Sequence, residues 1–175
     1  MLEINPAFEA KVESLARQAM HSARLMDVAP DYDAAEHYTS KEYLETLKDD
    51  QVVGRHKHLY EFGRDRLAEQ LLGDLYLAFP GYDPRVSGYF YYPPGGYMSW
   101  HTNSDRPERR VYVTWASHNK KSFFRSVQDG SIVTDWDKKG ANVRVFDVTD
   151  KEPYYWHCVY SDCYRVSFGF RLMPK

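Results

Sequence analysis

Tyr164-Arg165-Val166-Ser167-Phe168-Gly169-Phe170-Arg171-Leu172 alternates in polarity along its length. Successive side chains of an extended strand point to opposite faces, so Val166, Phe168, Phe170 and Leu172 share one face and Arg165, Ser167, Gly169 and Arg171 the other. The apolar face needs a core to cover it. The other face, carrying two arginines and a serine, needs a polar cavity or solvent.

Working outward, the same period of two predicts strands at 86–92, 97–101, 110–116, 121–127, 131–135, 142–148, 154–159 and 164–172. Turn pairs such as Asp129-Gly130 and Lys139-Gly140 separate them, as in an antiparallel sandwich or barrel. Before residue 80 the period is helical. Phe8, Val12, Leu15, Ala19, Ala23 and Met26 predict an amphipathic helix over 6–26, with Asn5 to cap it and Pro6 in its first turn. Residues 27–38 read as a loop around Pro30, and Thr39 with Glu42 forms a capping box opening a short helix to about 48. Leu59, Phe62, Leu67, Leu71, Leu75 and Ala78 predict a long helix over 55–79, closed by Pro80-Gly81. Helices followed by strands make the class α+β, with N-terminal helices packed on one outer face of an eight-stranded antiparallel sheet structure.

The 175 residues suit one domain, with 1–80 as helical support and 86–172 as the core. A net charge of -2 provides no global positive field, so neither nucleic acid nor an anionic membrane is an expected partner. No apolar run approaches the roughly 20 residues of a membrane span. The start lacks the pattern of a signal peptide, and the two cysteines, Cys158 and Cys163, fall short of a disulfide framework. A soluble, cytoplasmic protein is the expectation.

Three segments carry the chemistry. Tyr92-Pro-Pro-Gly-Gly-Tyr-Met-Ser-Trp-His101-Thr-Asn103-Ser-Asp105 brings a histidine to a strand end, and Trp156-His157 supplies a second on a distant strand. Arg165-Val-Ser167 follows, able to hold a carboxylate by a guanidinium fork and a hydroxyl. Two histidines with open positions suit an octahedral Fe(II) that admits a chelating acid and dioxygen. Each histidine alone is more commonly structural; the combination is what is specific. His56-x-His58 reads as a solvated helix face, and the aromatic run 89–92 as core rather than a base-stacking surface.

The Tyr-x-x-Gly-x-x-x-x-x-His run from Tyr92 to His101 resembles the entry to the first metal ligand in the alkylated-nucleic-acid demethylases of the Fe(II)- and 2-oxoglutarate-dependent oxygenases, and more loosely that of prolyl hydroxylases. The Arg-x-Ser-x-x-x-Arg run from Arg165 to Arg171 is similar to the demethylases' closing strand, with serine where asparagine is usual. The resemblance covers roughly 86–172. It implies a double-stranded β-helix of jelly-roll, cupin-like form, binding Fe(II) and 2-oxoglutarate with dioxygen as co-substrate.

The family's His-x-Asp or His-x-Glu reads His101-Thr-Asn103 here. Three completions of the metal site stay open: Asn103 or water beside His101 and His157; Asp105 reaching in from its loop; or a halide, as in related halogenases. His101-Thr102 also resembles the start of the aspartyl/asparaginyl β-hydroxylase motif, whose downstream arginine would fall near Arg109 or Arg110. By resemblance, Arg165 pairs the far carboxylate of 2-oxoglutarate, Ser167 and Tyr92 add hydrogen bonds, and Arg171 holds the near carboxylate or braces the pocket. The implied activity is hydroxylation of a small molecule, an amino acid or a protein side chain. Nucleobase demethylation and a catalytically inactive dicarboxylate-binding module are the alternatives.

Overall fold

The computed structural model describes residues 2–23, 29–47, 56–62 and 66–175. Two antiparallel five-stranded sheets face each other. One has the order β1-β4-β9-β6-β7 and the other β2-β3-β10-β5-β8. The strands are β1 (Lys57–His58), β2 (Tyr60–Glu61), β3 (Tyr82–Tyr92), β4 (Gly96–His101), β5 (Arg109–Ala116), β6 (Ser122–Gln128), β7 (Ser131–Trp136), β8 (Gly140–Asp147), β9 (His157–Ser161) and β10 (Arg165–Pro174). Each of the eight strands read from the sequence has a counterpart here. The chain is β-rich, in a jelly-roll arrangement.

Strand β10 lies at the centre of its sheet, paired along its length with both β3 and β5. Its alternation works as the residues dictate. Val166, Phe168, Phe170 and Leu172 join the largest apolar cluster, beneath the helix α1 (Pro6–Ala23), whose Phe8, Val12, Leu15 and Ala19 are buried on them. Fully burying each such large side chain contributes roughly 1.5–3 kcal/mol. The opposite face of β10 looks between the sheets, where Tyr92, Phe124, Phe146, Val148 and Val159 form a second cluster. A third, built on Trp100, Phe123 and Cys158, backs the other sheet against Tyr43 and Leu44 of α3 (Lys41–Glu45). The helical segment therefore covers both outer faces rather than one.

Two helical expectations need correction. The segment read as a loop contains α2 (Tyr32–Tyr38), capped by Asp31, whose carboxylate accepts from the Ala34 amide at 2.9 Å. The cap of α3 is Ser40 rather than Thr39. The long helix expected over 55–79 is broken: a 3-10 turn (Ala68–Leu71) and α4 (Leu72–Ala78) keep its C-terminal half, while its start is β1 and β2. Lys57 pairs with Met98 in one sheet and Glu61 with Phe90 in the other, so a strap with only Leu59 between its strands joins the two sheets. Leu59 packs into the inter-sheet cluster. Tertiary pairing has overridden a leucine spacing that continued by coincidence. Residues 24–26, 48, 55 and 63–65 of the expected helices lie outside the described residues.

Candidate functional site

Strands β4 and β9 pair so that His101 stands directly opposite His157, just past an irregularity in the ladder after Met98. The two imidazole centroids are 4.0 Å apart. Both rings are buried. His101 Nδ1 lies 2.8 Å from the Ser99 carbonyl oxygen, and His157 Nδ1 lies 3.0 Å from that of Tyr155. A carbonyl only accepts, so Nδ1 carries the proton in each ring and Nε2 presents its lone pair. Asn103 reads that polarity, its amide Nδ2 donating to His157 Nε2 at 3.1 Å.

Burial pushes the His101 pKa down to about 4, with nearby Arg110 adding to the effect and the Ser99 carbonyl opposing it. Burial also carries His157 well below the usual histidine value, helped by the facing His101. Both rings are neutral at pH 7, the state in which imidazole ligates metal. Phe124, Phe146 and Tyr155 surround His157 with ring centroids 5.4–5.6 Å away.

The pair opens on a cavity of about 200 Å³ between the sheets, lined by His101, His157, Asn103, Tyr92, Arg110 and Ser167 among others. Arg110 is 5% exposed; its terminal nitrogen donates to the Arg106 carbonyl at 3.1 Å and its buried Nε has no partner. An orphaned donor on a buried cation costs several kcal/mol unless an anion meets it. The Tyr112 hydroxyl also touches Arg110, while burial raises the Tyr112 pKa.

The remaining expected residues fall in three places. Tyr92 and Ser167 line the cavity, and burial raises the Tyr92 pKa. Arg165 is fully buried and does not line it: its guanidinium lies 5.1 Å from the Tyr92 ring centroid, behind that ring, and its Nε donates to Asp137 Oδ2 at 2.9 Å. Its two terminal nitrogens have no partner. Asp137 also accepts from Arg144 at 2.6 Å and Ser122 at 2.5 Å, knitting β6, β8 and β10 together. Arg171 is not among the residues lining the cavity and pairs with Glu108 at 3.3 Å. Asp105 is exposed on its loop beside Arg106 at 3.8 Å and is not among the residues lining the cavity. Among the described residues no group of three or more His, Cys, Asp or Glu converges.

These residues fit a divalent cation with two neutral nitrogen donors and one amide. They equally fit a carboxylate beside Arg110. Asn103 sits at φ 55°, a left-handed conformation that asparagine tolerates, and this turns its amide back toward His157. Sequence reasoning left Arg110 between two candidates, yet it had a usable signal: Val111 and Val113 on one face of β5 place Arg110 and Tyr112 on the other. Asp137 had none, because Trp-Asp-Lys-Lys reads as a charged turn. His56 is stacked on Tyr38 at 3.9 Å, and His58 is on β1, not on a helix.

No protein-family profile matches the chain, and no curated sequence does. Among solved structures, a Pseudomonas putida prolyl-4-hydroxylase aligns over 98% of this chain and 89% of its own, with 16% identity and a TM-score of 0.51. The fold is shared. A cupin domain from Bordetella pertussis covers 53% of this chain and 93% of its own, at 20% identity and a TM-score of 0.31. A predicted oxalate decarboxylase from Thermotoga maritima covers 73% and 97%, at 11% identity and 0.34. At such identities a likeness establishes architecture and leaves chemistry to the residues.

Proposed function

We propose that this chain is an Fe(II)-using oxygenase that takes a 2-oxo acid, 2-oxoglutarate by preference, and hydroxylates a small molecule. One observation carries the reading: two facing neutral histidines, each with Nδ1 held by a carbonyl and Nε2 left as the lone-pair nitrogen, share a cavity with a buried arginine whose Nε is unpartnered. The shared architecture with a prolyl-4-hydroxylase supports it.

His101 and His157 hold the metal, with Asn103 or water at the position beside them. Bound Fe(II) with a chelating 2-oxo acid supplies the dioxygen chemistry, coupling decarboxylation of that acid to oxidation of a substrate C–H bond. The chain's own contributions are binding, orientation and dryness. Arg110 neutralises and orients a carboxylate of the oxo acid. Ser167 and the protonated Tyr92 hydroxyl offer hydrogen bonds. Arg165, held by Asp137, lies against the Tyr92 ring and positions it on the cavity wall. Phe124, Phe146 and Val159 exclude water around the metal ligands.

Anaerobic titration with Fe(II) and 2-oxoglutarate tests the reading. The expected result is a weak visible charge-transfer band, then succinate on admitting oxygen. Folded, metal-loaded protein showing neither refutes it and leaves a binding module.

A further inference from the structure

The strap does more than join the sheets. Lys57 and Glu61 both line the cavity, both are exposed at its rim, and among the described residues neither has an ion-pair partner in the structure. They are not paired with each other. Four residues of extended chain separate them by roughly 13 Å of backbone, and they belong to different sheets, whose usual spacing is about 10 Å. Two long side chains of opposite sign thus face one mouth from opposite sides.

The floor beneath them is stripped of bulk. Gly88 and Gly169 are cross-strand neighbours on β3 and β10, with Ser87 and Ser167 beside them on the same lining. A Cβ on Gly169 would come within 3.2 Å of the Tyr112 ring and 3.3 Å of Ser87 Oγ. The close approach of Tyr112 and Ser87 requires glycine there, and the cavity beyond them is lined by backbone and small side chains.

We infer that this half of the cavity is a slot for a small zwitterion, a free amino acid, with Lys57 meeting its carboxylate and Glu61 its ammonium. The inference rests on the proposed function, in which Arg110 is taken by the oxo acid. Lys57 and Glu61 then remain as a balanced pair, which opposes a ligand of either single sign and favours one carrying both. A cavity of about 200 Å³ suits a small metabolite; drug-sized ligands occupy roughly 300–1,000 Å³.

The test is calorimetric titration of the full chain with the twenty free L-amino acids, with and without Zn(II) and 2-oxoglutarate. The best binder is then compared with its carboxamide and its N-acetyl derivative. The expected losses are about tenfold for each derivative, the size of one hydrogen bond to a charged group. Lys57→Met should erase the discrimination between acid and amide and keep that against the N-acetyl form; Glu61→Gln should do the reverse. Both positions are exposed, and far-UV circular dichroism verifies the fold of each variant. Binding by no amino acid, or discrimination unchanged in the variants, overturns the slot. Zwitterion selectivity that tracks the two residues in protein lacking Fe(II) and 2-oxoglutarate chemistry would sustain the slot and sink the oxygenase reading alone.

Discussion

Asp137→Asn removes one charge at constant shape from a site where two arginines depend on it. Asp137 is 0% exposed, Arg165 0% and Arg144 9%, so neither guanidinium can recover its counter-ion from solvent. Breaking a buried pair by removing one partner costs about 3–5 kcal/mol. In a domain of this size each kcal/mol moves Tm by about 2–4 °C, so a fall of about 6–20 °C is expected at pH 7. The loss carries a pH signature. Burial alone would raise the Asp137 pKa, but Arg165 and Arg144 outweigh it and hold the carboxyl at about 2, against 3.8 unperturbed. Because the folded value is the lower one, the stabilisation is complete above the unfolded value and disappears as pH falls toward 2. That difference is worth about 2 kcal/mol. Urea melts of both proteins should therefore converge by about 1 kcal/mol between pH 7 and pH 3, roughly half of that amount, the remainder being lost only as pH falls through the folded value. A gap under 1 kcal/mol at pH 7, or one constant with pH, would refute the reasoning. Ser122→Ala, which removes one 2.5 Å bond to the same carboxylate, should cost about 1–2 kcal/mol and serves if the asparagine variant does not fold.

The site yields further expectations. His101→Ala and His157→Ala should each lower Co(II) affinity at least 100-fold by visible absorption while the far-UV spectrum persists; unchanged affinity in both would remove the metal site. Arg110→Met should weaken 2-oxoglutarate binding about tenfold or more and spare Co(II) binding, whereas equal loss of both would make Arg110 merely structural. Asn103→Asp should tighten divalent metal binding at least tenfold, since aspartate tolerates the same left-handed backbone and adds a charged oxygen; no gain would show that this side chain faces away from the cation. Phe168→Ala, beneath α1 and 5.5 Å from the Phe62 ring, should cost about 3–5 kcal/mol in urea melts; a loss below 1 kcal/mol would mean that the helix does not seal that face.

The strands were legible because each carries enough alternating residues to show a period, and the turns between them use residues with few other roles. Strands β1 and β2 have two residues each, below the length at which any period exists. They form because β4 and β3 offer free edges, which is tertiary information. That one misreading put Lys57 and Glu61 inside an expected helix, away from the cavity they line. The histidine pair was legible from spacing and flanking aromatics. The depth of Arg165 was not: alternation tells which way a side chain points and says nothing of what lies in front of it, here the Tyr92 ring. Helix α2 was missed for a local reason, since Asp31 after Pro30 reads as readily as a turn as it does as a helix cap.

Both imidazoles take their tautomer from a carbonyl two residues upstream, Ser99 for His101 and Tyr155 for His157. Main-chain oxygens cannot be exchanged by point mutation, so these two hydrogen bonds do not depend on which side chain stands at position 99 or 155. If a cation is held there as proposed, the side chain that reaches the pair directly, at His157 Nε2, is that of Asn103. One altered codon there can change the charge of the whole centre while its framework stays intact.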